Sequence, residues 1–148
     1  MTSGKLDPAV ARRHLLALDA ALQILRRHQG RNIDELTSQP EERWAVERGL
    51  QLCAQNALDV AAHLAASTGH DVPDYASAID RLGAMGILPP DFVARFRAVA
   101  GFRNVVVHGY LDVDVGLLHR LLNKHLEDFS VFARHVAAYL ELPAGDTY

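Results

Sequence analysis

The sequence has one cysteine, no apolar run near the roughly 20 residues of a membrane span, no surplus of positive charge and no segment alternating apolar and polar side chains. The lone Cys53 cannot close an internal disulfide, and its place in an Ala/Leu-rich run reads as a small buried side chain in a reducing compartment. The 15 basic and 18 acidic side chains give a formal charge of -3, which excludes a protein that coats nucleic acid by its bulk field. Any contact with RNA or DNA must therefore be local. The start, Met1-Thr2-Ser3-Gly4-Lys5, lacks the apolar core of a signal peptide, so the expectation is a soluble, cytoplasmic protein with no membrane contact. None of the 8 histidines pairs with another at the spacing and in the carboxylate company of a zinc site, so neither a metal nor a cofactor is expected. Val105-Val106-Val107 is too short, and too well framed by helical pattern, to stand as a strand.

What is present is helical periodicity. Asp7 and Pro8 read as N-cap and first helical residue, followed by Leu15, Leu18, Leu22 and Leu25, with Gly30 as the stop. A connector containing Ile33 and Leu36 leads to Pro40. From there a longer helix runs to about Ser67, with Trp44, Leu50, Cys53, Ala57, Ala61 and Leu64 on its apolar side. After Val72-Pro73 a short helix carries Tyr75, Ile79 and Leu82, and a fourth starts near Asp91 with Phe92, Phe96, Val99 and Val106 on one side. A fifth, from about Val115, keeps Leu118, Leu122, Phe129, Phe132, Val136 and Leu140 in one seam. The expected fold is all-α, an antiparallel bundle of the four-helix type with about five helices, in a single domain over residues 1–142 with a loose tail at 143–148.

The chemistry concentrates at Arg103-Asn104-Val105-Val106-Val107-His108-Gly109-Tyr110, where a fixed cation, an amide, an imidazole and a phenol fall within about two helical turns. Arginine clamps phosphate through a planar fork and histidine moves a proton near neutral pH, so the set suits phosphate esters without a metal. The spacing alone is weak, because Arg120 and His125 repeat it on an amphipathic helix that reads as a solvated face. Arg103 and His108 also lie about 140° apart on an ideal helix. Either the helix ends before His108 and the loop at Gly109 swings it round, or two copies of the chain pool their residues. Asn56, Asp59 and His63 form a second polar stripe at three- and four-residue spacing on the otherwise apolar helix Leu50 to Ala66. Asp59 is a candidate to orient an imidazole or pair with Arg103, and the plainer reading is that Asp59 and His63 bond each other or a helix end. His14, His28, His70, His119 and His135 read as surface residues.

Arg103-Asn104-x-x-x-His108-x-Tyr110 resembles the signature of the HEPN superfamily, and specifically its HepT-like toxin branch. Glu47-Arg48-Gly49-Leu50-Gln51-Leu52, Ala57-Leu58-Asp59-Val60-Ala61-Ala62-His63, and Pro73-Asp74-Tyr75 before a short helix ending in Gly86-Ile87 resemble that branch in the same order, so the likeness spans roughly Leu6 to Leu142. The resemblance implies a helical bundle that dimerises through its motif-bearing helices and acts as a metal-independent endoribonuclease. Carried onto this chain, Arg103 would stabilise charge on the scissile phosphate, His108 would be general base or acid, and Asn104 would orient phosphate or imidazole. The products implied are a 2′,3′-cyclic phosphate and a 5′-hydroxyl end. The partner implied is a minimal nucleotidyltransferase (MNT) antitoxin that transfers AMP to the motif tyrosine, here Tyr110, in a homodimeric or larger complex. Two other readings stand beside the toxin: a non-catalytic partner that presents a nucleotide or substrate to a nucleotidyltransferase, and a structural helical dimer without a ligand.

Overall fold

The structure is a computed structural model that describes residues 6–69, 72–101, 103 and 114–141. Asn104, Val106, His108, Gly109, Tyr110, His70 and the tail at 143–148 lie outside the described residues. Among the described residues every regular element is helical. In chain order these are α1 (Pro8–Arg26), α2 (Ile33–Ser38), α3 (Pro40–Ala66), α4 (Tyr75–Ala84), α5 (Pro90–Phe96), α6 (Val115–Arg120), a π-helical turn (Leu121–His125) and α7 (Leu126–Tyr139). No helix among them is long and apolar enough to cross a membrane.

Local chemistry sets the helix starts. Asp7 caps α1 by accepting from the Ala9 amide, and Pro8 supplies a first residue whose missing N–H costs nothing there. Asp74 does the same for α4 through the Ser77 amide. The connector around Ile33 and Leu36 is itself a helix, because Asn32 and Glu35 form a reciprocal capping box that satisfies two orphan N–H groups, while Leu36 is driven into the core. The stop after α4 uses Gly86 at φ +76: Ile87 N–H reaches Leu82 C=O and Gly86 N–H reaches Gly83 C=O, the paired closure that a left-handed residue permits.

The long elements run antiparallel. Asp7 meets His63, His14 meets Asn56 and His28 meets Glu42, so positions fall along α3 as they rise along α1. Gln29 and Gly30 meet Leu122 and Asn123 while Arg26 meets Glu127, which sets the C-terminal helices antiparallel to α1 as well. At Gly49 the α1–α3 approach is close enough that a Cβ would stand 2.5 Å from Leu25 Cδ2. Phe96 joins the second half of the bundle, with its ring centroid 4.9 Å from Phe132, 5.1 Å from Phe92 and 5.8 Å from Phe129. Such pairs add roughly 0.5–1.5 kcal/mol each beyond their buried area.

Four sequence expectations need correction. Trp44 is 61% exposed, one turn into α3 and ahead of the first buried residue of that helix. The fourth helix is not continuous: Arg97 is a turn residue, its carbonyl is bonded by Ala100 N–H, and helical residues resume at 98–101 and 103. The fifth helix is not one regular α-helix: a π-helical turn at Leu121–His125 separates α6 from α7, while Leu118, Leu122, Leu126 and Phe129 stay buried across it. His14 and His28 are not simple surface residues, since His14 bonds Asn56 and His28 bonds a Glu42 whose carboxylate is also held by Arg31 at 2.7 Å. Those two contacts hold Glu42 below the usual carboxylate range, the His28 bond contributing most.

Candidate functional site

Arg103 follows the turn at Arg97, on the segment whose Val99 is buried in the core. Its Nε and Nη2 both donate to Gln55 Oε1 on α3, at 3.2 and 3.0 Å. The guanidinium carbon stands 5.5 Å from the centroid of the Tyr75 ring on α4. Behind them Gln55 Nε2 donates to Asp59 Oδ1 at 2.8 Å and to Tyr75 Oη at 3.2 Å, and Tyr75 Oη donates to the same Asp59 oxygen at 2.9 Å. Two helices, α3 and α4, thus converge on one side chain. Burial, then donation to Asp59, pushes the Tyr75 phenol above its ordinary range, so it remains a protonated donor at neutral pH.

The polar stripe of α3 divides between two neighbours. Asn56 and His63, seven residues apart and nearly eclipsed on a helix, both face α1: Asn56 Oδ1 lies 2.9 Å from His14 Nδ1, and His63 Nε2 accepts the Asp7 amide at 3.0 Å. Gln55 and Asp59, four apart, face Tyr75 and Arg103 instead. Asp59 is joined to Arg103 through Gln55, and His63 is placed against the start of α1. The sequence reading missed Gln55 and Tyr75. The signal was available in the four-residue step from Gln55 to Asp59, which makes a polar pair on one helix face.

The repeat pair behaves differently. Arg120 and His125 bracket the start and end of the π-helical turn, and His125 Nδ1 lies 3.6 Å from Asp128 Oδ2 with 46% of its side chain exposed. Asp128 also pairs with Arg95 at 3.1 Å, and Arg97 pairs with Asp80 at 2.8 Å. Arg95 and Arg97 are therefore matched by carboxylates from other elements, although on the sequence only Asp91 stands near them. Among the described residues no three His, Cys, Asp or Glu side chains come together as a metal site.

The family model for "Ribonuclease HepT-like" matches residues 17–136, which takes in the second half of α1, all of α3 with Gln55, Arg103 and most of α7. The chain belongs to the ribonuclease HepT-like family. Among HepT-like relatives, a tRNA nuclease HepT from Aphanizomenon flos-aquae is 26% identical over 137 residues, 91% of this chain and 92% of that protein. An mRNA nuclease HepT from Shewanella oneidensis is 24% identical over 89 residues, 60% of this chain and 67% of that protein. The HepT-like fold itself matches that of a tri-AMPylated HEPN toxin from Shewanella oneidensis, solved in complex with its MNT antitoxin. That match has a TM-score of 0.76 and 17% identity, covering 87% of this chain and 97% of that one.

Proposed function

We propose that this chain is the ribonuclease of a toxin–antitoxin pair, cutting RNA without a metal and silenced by AMP transfer to Tyr110 from an MNT-type nucleotidyltransferase. The observation that carries the reading is the family match over residues 17–136 together with the hold on Arg103, the one motif side chain within the described residues. The HepT relatives named for tRNA and mRNA cleavage share RNA as substrate class, and the AMPylated toxin with its antitoxin supplies the model for control. Arg103, Asn104 and His108 would form a composite site across a homodimer through the motif-bearing helices, which removes the difficulty that Arg103 and His108 diverge on a single helix.

The chemistry closes without a cofactor. The ribose 2′-hydroxyl gives its proton to an imidazole, its oxygen bonds phosphorus, the bond from phosphorus to the 5′ oxygen breaks, and an imidazolium returns a proton to that leaving oxygen. A 2′,3′-cyclic phosphate and a 5′-hydroxyl result. Arg103 stabilises the charge that gathers on the non-bridging oxygens. Because Arg95 and Arg97 are already paired with Asp128 and Asp80, they offer less free charge for gripping RNA than their closeness to Arg103 in sequence suggests. An adenylyl group on Tyr110 would add negative charge and bulk where an RNA phosphate must sit.

The test is RNA cleavage in chelator combined with intact mass, before and after incubation with ATP and the nucleotidyltransferase. Cutting by the unmodified chain, lost in His108→Ala but kept in His125→Ala, and lost again as adenylyl units appear on Tyr110, supports the proposal. A folded, unmodified dimer that binds nucleotide and leaves every RNA intact contradicts it and makes the chain a nucleotide-holding partner.

A further inference from the structure

The side-chain amide of Gln55 has only one orientation that satisfies its neighbours. A guanidinium carries donors alone, so the atom facing Arg103 must be Oε1, and an ionised Asp59 accepts only, so the opposite end must be the NH2. The hydrogen bonds among these four side chains then all point the same way, from Arg103 to Gln55, from Gln55 to Tyr75 and Asp59, and from Tyr75 to Asp59. The carboxylate ends the chain and polarises the amide, which strengthens the Oε1 that holds Arg103. Two N–H groups on one acceptor fix the edge of the guanidinium, and the Tyr75 ring lies against its face, 5.5 Å from the guanidinium carbon to the ring centroid. Glutamine suits this place on three counts: asparagine is one methylene shorter, an ionised glutamate would oppose Asp59, and an apolar residue has neither end.

We infer that Gln55 is a positioning residue for Arg103, its amide turned by Asp59 and Tyr75 so that the guanidinium meets an RNA phosphate in one fixed plane. The inference rests on the ribonuclease reading for its consequence and on the geometry of Gln55 for its substance. It assigns work to two side chains, Gln55 and Tyr75, that do not belong to the Arg103-to-Tyr110 motif.

The experiment uses the full chain with the substitution Gln55→Met, which keeps the bulk and removes both polar ends. Tyr75→Phe, which keeps the ring and removes the hydroxyl, is the second variant should the first fail to fold. Two readouts are taken: kcat and KM on RNA in chelator, and the 15N-edited signal of the Arg103 Nε–H with its exchange against water. The expected result for Gln55→Met is a kcat lower by about 10- to 100-fold, as for a lost hydrogen bond to a charged group, with KM changed far less and the Nε–H exchanging faster. Tyr75→Phe is expected to lose less on both readouts. Wild-type turnover with an unchanged Nε–H in a folded Gln55→Met variant overturns the inference, and so does lost turnover with an unchanged Nε–H. If the wild-type chain cuts no RNA, the ribonuclease reading fails separately, while the Nε–H comparison still decides whether Gln55 holds Arg103.

Discussion

The two Arg-x-x-x-x-His pairs share a spacing, and their arginines differ in what the fold adds around them. Arg103 is clasped by Gln55, stands over Tyr75 and is linked through them to Asp59, so three side chains from two other helices specify one guanidinium. Arg120 ends α6 exposed, with no hydrogen bond or ion pair from its guanidinium among the described residues, and His125 has only a loose approach to Asp128. An exposed pair of that kind is screened by water and spends side-chain entropy on any fixed geometry. The contrast shows why spacing is a weak signal: chemistry needs a cation whose rotamer is already chosen, and rotamers are chosen by contacts distant in sequence.

The largest contrast to test is at the tyrosines. Tyr110→Phe is expected to abolish AMP incorporation, while Tyr139→Phe, at a site 44% exposed on α7, leaves it unchanged. Peptide mapping after incubation with ATP and the nucleotidyltransferase checks both, and label on Tyr139 would show that exposure rather than motif selects the acceptor.

Phe96→Ala probes the support under Arg103. It is expected to cost about 3–5 kcal/mol by emptying a fully buried site among three aromatic rings, read as a lower Tm, whereas Arg120→Ala should leave Tm nearly unchanged. Equal thermal losses would erase the distinction between the surroundings of Arg103 and those of Arg120.

Glu42 is an intermediate case, a carboxylate held by His28 and Arg31 away from either pair. Its folded pKa is depressed, so its stabilisation is present above the ordinary carboxylate range and is lost as pH falls through the folded value. Glu42→Gln should therefore lower stability at pH 7 by about 1 kcal/mol, a modest figure because solvent beside Arg31 screens the pair, and the difference from wild type should vanish in acid. Thermal melts across pH measure it.

The smallest effect is expected at Asp128→Asn, which releases Arg95 and His125 together. With both partners about half exposed, the loss should stay within about 1 kcal/mol and shrink further as salt is raised. A large, salt-independent loss would mean that the Arg120/His125 region is as built as the Arg103 region.

The helices were legible wherever a cap, a proline or an apolar period wrote them locally. Asp7-Pro8, Pro40 and Gly86 mark real boundaries because the forces there act within a few residues. Cys53 also lies where its Ala/Leu-rich surroundings placed it, fully buried, and burial pushes its thiol up to about 12. The α2 helix was equally local, since Asn32 and Glu35 spell a capping box, and it was passed over as a connector. The π-helical turn was not legible: Leu118, Leu122, Leu126 and Phe129 recur at spacings of three and four that an unbroken α-helix would show as well. The candidate site was half legible. Asp59 announces itself as a polar residue on an apolar helix, but which neighbour it serves depends on Tyr75 and Arg103, 16 and 44 positions away, and only packing of α4 and the 98–103 segment against α3 brings them together. The same long-range pairing matches Arg95 with Asp128 and Arg97 with Asp80, which no inspection of neighbouring residues could disclose.

The most direct test is RNA cleavage in chelator by Arg103→Ala and Arg120→Ala, each verified to be folded. The account predicts a loss of roughly 10²–10³-fold for Arg103→Ala, as for removal of a group that stabilises developing charge, and near wild-type cleavage for Arg120→Ala. Equal activity in the two variants, whether both retained or both lost, would contradict it.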